Sequence, residues 1–235
     1  MKQLKLLTAT IAVAGLCLFL FSCNSQGEKK ADDASLKNDT AAAKPQNILF
    51  IKHRVANYEK WLANYVSQDS IRQVYGLHNY GVSRGIDDPN MVLVSLKIED
   101  MSKAKTFISS PGLKADMQKG GVEGEPAVMY YDRQRFDIST THDSMRLMIS
   151  HKVKDWEAWK KEFENDKQAR IDAGLKDRSY GYDDGDNKMV YVIVTYSDLK
   201  KAKDYFASKE LQDKMQAAGV EGAPTMFFYK LVQKY

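Results

Sequence analysis

The sequence predicts an α+β protein built from two consecutive modules, each running strand, helix, strand, strand, helix, strand. Three observations carry that expectation. Residues 49–131 align with residues 147–229 at a constant offset of 98 without a gap, and about a third of the paired positions are identical. Within each copy, alternating apolar stretches take turns with stretches of helical periodicity. A leading apolar segment and a polar spacer stand apart from both copies.

The leading segment opens with Lys2 and Lys5, and an apolar run follows from Leu6 to Phe21. That run is shorter than the roughly 20 residues a bilayer span needs and fits a signal peptide better. Its ending, Leu20-Phe21-Ser22-Cys23, resembles the bacterial lipobox, in which a signal peptidase cleaves before a cysteine that is then lipidated; Phe21 stands where that pattern prefers a small residue. The resemblance implies that residues 1–22 are removed and that Cys23 carries the lipid. The protein would then be held on a membrane of the bacterial cell envelope, on the periplasmic or surface side of the outer membrane. Buried acyl chains, at ~0.8 kcal/mol per methylene, make such an anchor firm. Cys17 lies in the removed segment, so Cys23 is the one cysteine left, with no partner for an intramolecular disulfide or a cysteine metal cluster. The remainder of segment 23–45 has no aromatic residue and Leu36 as its single large apolar one, the composition of a disordered tether. Such a tether reaches about 25 Å.

The first module is expected over residues 46–133. Ile48–Val55 alternates and reads as a strand. Asn57, matched by Asp155, is placed to cap a helix, along which Tyr58, Trp61, Leu62 and Tyr65 recur at helical spacing, as do Trp156, Trp159 and Phe163. Gly76 and Gly174 stand where that helix should end. Residues 77–85 and 91–98 read as two strands joined by the turn Asp87-Asp88-Pro89-Asn90, with Gly185-Asp186-Asn187-Lys188 as its counterpart. Asp100 and Asp198 cap a second helix with Ala104, Phe107 and Ile108 on its apolar side. Pro111 should break that helix, leaving a last turn with Leu113 and Met117. The repeated Gly-Val-Glu-Gly-x-Pro then reads as a loop before a final strand, Ala127–Tyr131. Residues 134–144 form a linker, and 145–235 repeat the module.

This order is the ferredoxin-like split βαβ arrangement. A four-stranded sheet with helices on one face leaves the other face bare, and the second copy is the economical cover. Residues 46–232 thereby resemble the dimeric α+β barrel superfamily, which includes antibiotic-biosynthesis-type monooxygenases. The resemblance rests on His-x-Val-x-(Asn/Asp)-(aromatic)-x-x-Trp, the Asp-Pro-Asn turn and the Gly-Val-Glu-Gly-x-Pro segment. It implies that the two modules close as an intramolecular pseudo-dimeric barrel, with any ligand held between the two sheets. Fold of this kind does not deliver function.

Alternation assigns the lining. Val92, Val94, Leu96 and Ile98 form an apolar face expected to meet the helices. Leu93, Ser95 and Lys97, with Tyr191, Ile193 and Thr195, form the mixed face expected to point inward. The bulky face of the second strand holds His78, Tyr80, Val82 and Arg84, matched by Lys176, Arg178, Tyr180 and Tyr182. Alternation alone leaves open whether that face points inward. Tyr80, Arg178, Tyr191, Ser95, Lys97 and Thr195 are the resulting candidates for pocket lining.

His53 and His151 are candidate pocket or acid–base groups, since histidine titrates near pH 6.5; the alternative is a strand-end histidine packed on the neighbouring Trp. Arg72 and Arg170 are candidate anion contacts, or else cations that complement a helix C-terminus and cover apolar surface with their stems. No nucleophile motif, dinucleotide fingerprint or zinc spacing appears, so neither metal nor cofactor is expected. The formal charge of +4 falls to +2 once Lys2 and Lys5 are removed (4 − 2), and no basic block suggests nucleic acid. The leading functional expectation is a lipid-tethered module that binds a small, partly apolar molecule between its repeats. The alternatives are a cofactor-independent monooxygenase-like enzyme and a structural lipoprotein that meets a partner.

Overall fold

The computed structural model describes residues 46–235. The expected signal peptide, the lipidation site Cys23 and the tether lie outside the described residues. Among the described residues, eight strands and eight α-helices make an α+β protein whose antiparallel sheet closes into a barrel. The elements run β1 (Ile48–Val55), α1 (Tyr58–Ser67), α2 (Asp69–Val74), β2 (Leu77–Gly85), β3 (Met91–Ile98), α3 (Met101–Ile108), α4 (Pro111–Lys119) and β4 (Val122–Phe136). A 3-10 turn, Ile138–His142, follows. Then come β5 (Met145–Val153), α5 (Trp156–Asn165), α6 (Lys167–Asp172), β6 (Leu175–Asp183), β7 (Asp186–Tyr196), α7 (Leu199–Ala207), α8 (Lys209–Ala217) and β8 (Val220–Lys234). Among the described residues no helix is long and apolar enough to cross a membrane.

The caps form as the sequence suggests. Asn57 and Asp155 accept from the backbone N–H groups of Lys60 and Ala158, and Asp100 and Asp198 from those of Lys103 and Lys201. Gly76 follows α2 with φ +66°, a conformation that costs a side-chain-bearing residue but not glycine. Pro111 does end α3, yet it also opens α4 as its first residue, under a Ser110 cap on the Leu113 N–H. Proline has no N–H to lose at that position, so the expected single turn is a nine-residue helix.

Around the barrel the strands run β1-β3-β2-β8-β5-β7-β6-β4 and back to β1. Closure comes from strands longer than expected. β4 and β8 start inside the Gly-Val-Glu-Gly-x-Pro segment and run past the expected end, β4 reaching into the expected linker. Their far ends leave their own half: β4 pairs with β6 over Tyr131–Phe136, and β8 pairs with β2 over Tyr229–Lys234. The glycine-proline segment is a bulge within a strand rather than a loop. Lys52 faces Ala127 while Arg54 faces Glu123, so three residues, 124–126, stand opposite His53 alone. Residues 222–224 do the same opposite His151. In the second half the β6–β7 turn also tightens to Asp184-Gly185, with Asp186 already paired to Asp183, because Gly185 adopts φ +90° and closes a two-residue hairpin.

Three cores result. Leu49, Ile51, Val92, Val94 and Leu96 pack beneath Trp61, Ala104 and Phe107. Leu147, Ile149, Val190, Val192 and Val194 pack beneath Trp156, Trp159 and Ala202. Ile48, Phe50, Leu93, Tyr131, Met148, Tyr191, Ile193 and Tyr229 fill the barrel. The apolar face of β3 thus meets the helices and the mixed face points inward. Along β2 and β6, where alternation left the facing open, the bulky residues divide between the two sides. Each strand carries a bulge, at Tyr80 and at Arg178, and a bulge reverses the alternation beyond it. Tyr80 and Arg178 therefore face the interior, whereas Val82, Tyr180 and Tyr182 turn to the helices.

Candidate functional site

The interior between the two halves of the sheet was the expected ligand site, and it is packed. It retains a cavity of about 30 Å³, lined among others by Tyr80, Ser95 and Arg178. That is room for about one water molecule, and a drug-sized ligand needs a cleft of about 300 Å³ or more. The other interior candidates are engaged in packing. The Tyr191 hydroxyl donates to Asp183 (3.1 Å), the Thr195 hydroxyl donates to Asp143 (3.0 Å), and the Lys97 ammonium lies 5.3 Å from the Tyr80 ring centre.

Arg72 and Arg170 are buried with their guanidinium groups committed. Arg170 donates through Nε and Nη2 to the two carboxylate oxygens of Asp177, both at 2.7 Å, and through Nη1 to the Phe163 carbonyl at 2.7 Å. Arg72 donates to the side chain of Asn79 (3.1 Å), the Tyr65 carbonyl (2.7 Å) and Asp69 (3.4 Å). Each also lies over a ring of the first helix of its half, Tyr65 at 3.9 Å and Phe163 at 3.6 Å. These arginines tie a helix C-terminus to the neighbouring strand, because burial forces them to spend their donors inside the fold. Arg170 and Arg72 also line the helix-side cavities of their halves.

The space lies elsewhere, between helices and sheet in the second half. A cavity of about 300 Å³ opens between β5–β7 and helices α5, α6, α7 and α8. Its walls are mostly apolar: Ile149, Val192, Val194, Trp159, Phe163, Phe206, Leu211 and Met215. At its rim Lys214 pairs with Asp166 (2.7 Å) and Glu210 (3.0 Å), which hold its ammonium pKa above the usual range. The Tyr205 hydroxyl donates to Asp166 (3.3 Å), and burial, with that carboxylate adding, pushes its pKa up to about 12. The equivalent cavity of the first half is about 60 Å³. There Leu96 stands where Val194 does, Ile71 lines the space where Ala169 is the counterpart, and the Asn64 amide reaches across to the Asp116 carbonyl (3.1 Å). Side chains of different volume leave one cavity larger than the other.

His151 belongs to this cavity. It is 6% exposed, with its ring 5.5 Å from that of Trp159, and neither ring nitrogen has a hydrogen-bond partner. Burial alone lowers its pKa to about 4, so the imidazole is neutral at pH 7. His53 repeats this geometry against Trp61 at 5.4 Å in the smaller cavity, with its pKa also lowered to about 4 by burial. Both histidines therefore face the helices rather than the barrel interior. A buried polar group without a partner costs roughly 1–3 kcal/mol, and in the second half that cost sits beside space for a ligand. The sequence named His151 and Arg170, which line this cavity, but not the cavity itself, since the rest of its lining reads as ordinary core. A second cleft, of about 410 Å³, is lined by Arg135, Lys167, Lys176 and Arg178 against Asp137, Glu164 and Asp177. Among the described residues no group of three His, Cys, Asp or Glu side chains is placed to hold a metal.

No protein-family model matches the chain, and no curated protein sequence matches it significantly. Solved structures do resemble it. A protein from Fusobacterium nucleatum designated a candidate monooxygenase aligns over 80% of this chain and 93% of its own length, at 10% identity and a TM-score of 0.51. An anthrone oxidase-like protein aligns over 81% and 93%, at 12% identity and 0.53. A candidate chlorite dismutase aligns over 80% and 95%, at 12% identity and 0.50. At such identities the likeness is one of fold. The chain has the architecture of the ferredoxin-like α+β barrels to which these neighbours belong.

Proposed function

We propose that the protein binds a small, largely apolar molecule beneath the helices of its second half, with a hydroxyl or carbonyl of the ligand meeting His151. The observation that carries this reading is the buried, unpartnered imidazole on the wall of an apolar cavity of about 300 Å³. A neutral imidazole offers one N–H donor and one acceptor, and the apolar walls supply the affinity. The ligand thereby moves from between the two halves to one half. The halves are taken as tandem copies closing an intramolecular pseudo-dimer, one of which has kept or gained a pocket. With Cys23 as a lipid anchor and residues 24–45 as a tether, the pocket would be displayed at a membrane of the cell envelope.

The test is a thermal-shift screen of the full-length chain in mild detergent against small aromatic and aliphatic alcohols and ketones. Ligands should raise Tm by several degrees in the wild type and in His53→Phe. In Leu211→Trp, which fills the cavity, the shift should vanish. Equal shifts in all three proteins would refute the assignment.

A second reading is favoured by the neighbours designated monooxygenase and anthrone oxidase-like. In it the bound molecule is itself oxidised by dioxygen, R₂CH₂ + O₂ giving R₂C=O + H₂O, with the ligand supplying the electrons. His151 would accept the proton lost from carbon. A base whose pKa is about 4 is poorly matched to pH 7, which ranks binding first. Ligand-dependent oxygen uptake that is lost in His151→Phe would reverse the ranking.

A further inference from the structure

Arg133, Arg146 and Arg178 all line the small cavity inside the barrel, and all are at least nine-tenths buried. They come from β4, β5 and β6 and converge near the 3-10 turn that follows β4. Their counterparts at the offset of 98 are Leu231, Ile48 and Tyr80, so the cluster has no equivalent on the opposite side of the barrel. Among the described residues no Asp or Glu lines the cavity.

The hydrogen bonds of these arginines go to neutral groups. Arg178 donates to the Thr140 carbonyl (2.9 Å) and hydroxyl (3.2 Å) and to the Tyr80 hydroxyl (3.2 Å). Arg146 donates to the carbonyls of Asp143 (2.9 Å) and Thr141 (3.4 Å). The Asp143 carboxylate accepts from Thr195 and faces Lys176 at 3.6 Å. Arg133 makes no hydrogen bond among the described residues, and its Nε is buried without a partner. The Phe136 ring lies 4.2 Å from the Arg133 guanidinium and 5.0 Å from that of Arg178, a contact that softens two like charges without neutralising them. Buried ions persist in proteins when they are paired, and guanidinium does not escape by losing its proton. Burial, with the charge of Arg178 adding and Tyr229, Tyr80 and Asp143 opposing, holds the Arg146 pKa below its ordinary value.

We infer that the barrel holds a small monovalent anion of halide size at this cluster. A cavity of about 30 Å³ admits a particle of water size, which excludes a nucleotide, a lipid headgroup or a second side chain. A water molecule would fit and could accept from Arg133, but it brings no charge to set against the three guanidinium groups. The site is separate from the pocket of His151 and does not depend on it.

The probes are chloride and bromide, exchanged for gluconate at constant ionic strength, with the thermal midpoint of the full-length chain in mild detergent as the readout. Gluconate is too large to enter. Chloride should raise Tm saturably, by roughly 5–10 °C at a hundred times its dissociation constant, and bromide should do the same. In Arg133→Met, which removes no hydrogen bond from the fold, half-saturation should move at least tenfold or the dependence should disappear. A Tm independent of the anion would overturn the inference, as would an equal dependence in Arg133→Met, which would mark a general salt effect with only water in the cavity. Should Arg133→Met fail to fold, bromide soaked into wild-type crystals decides: anomalous density in the cavity supports the site, and density of water alone overturns it.

Discussion

Two histidines, each packed against a tryptophan, tie this fold to pH. In the folded chain both have pKa values near 4, against 6.5 when exposed, and burial is the cause. Between pH 6.5 and pH 4 the unfolded chain takes up two protons that the folded chain refuses. Stability should therefore be full above pH 6.5 and fall on acidification by about 1.4 kcal/mol per pH unit for each histidine. The decline ends near pH 4, after a loss of roughly 3 kcal/mol per histidine. Urea titrations at pH 7, 6, 5 and 4 measure this, and the slope should be nearly halved in His53→Phe. An unchanged slope in that variant would mean the ring is not buried as described. At this scale the sequence offered two readings of both histidines, a pocket group or a strand-end ring packed on the neighbouring Trp, and the rings do lie against Trp61 and Trp159. That their nitrogens lack partners was not legible, because it depends on which side chains from the helices reach the ring. Arg72 and Arg170 show the reverse case: helical spacing put them near a helix end, and their bonds to Asn79 and Asp177 make that placement structural.

Strands β2 and β6 set the limit of periodicity arguments at the scale of the element. A period of two carries the assignment along β3 without error, since no residue is inserted there, and it fails past the bulges at Tyr80 and Arg178. Close approach explains another feature that alternation does not reach. A Cβ on Gly181 would stand 2.0 Å from the Asp132 carbonyl oxygen, where β6 meets β4. Gly181→Ala should consequently cost about 3 kcal/mol or more, because backbone on a paired strand has no room to yield. Gly112, in the first turn of α4, would place a Cβ in open space, with nothing within 4 Å of it. Gly112→Ala should stabilise by about 0.5–1 kcal/mol through helix propensity. Chemical denaturation of the two variants checks both values, and a harmless Gly181→Ala would contradict the β4–β6 register.

Closure is a property of the whole molecule, and it depends on the last strand of each half crossing to the other. Deleting residues 231–235 removes the far end of β8 and exposes the edge of β2. An unpaired edge recruits another strand, so the truncated chain should self-associate and unfold at lower denaturant. Light scattering and urea titration would show it; a monomer of unchanged midpoint would mean that the β2–β8 seam adds little. The two proposed ligand sites also belong to this scale. Both depend on differences between the halves: Val194 for Leu96 helps open the helix-side pocket, and Arg133, Arg146 and Arg178 have no arginine at the corresponding positions.

The order of the strands, the caps and the inward and outward faces of β3 were legible in the chain before folding, whereas each expected helix is a pair of helices. Those features follow from local chemistry and from periods of two and 3.6 residues, which a sequence carries along its length. Folding in three dimensions settled how far β4 and β8 extend, where the bulges turn a face around, and that space remains beneath the helices of one half rather than between the sheets. Each of these depends on volumes and charges from residues far apart in the chain, and their sum has no local signature.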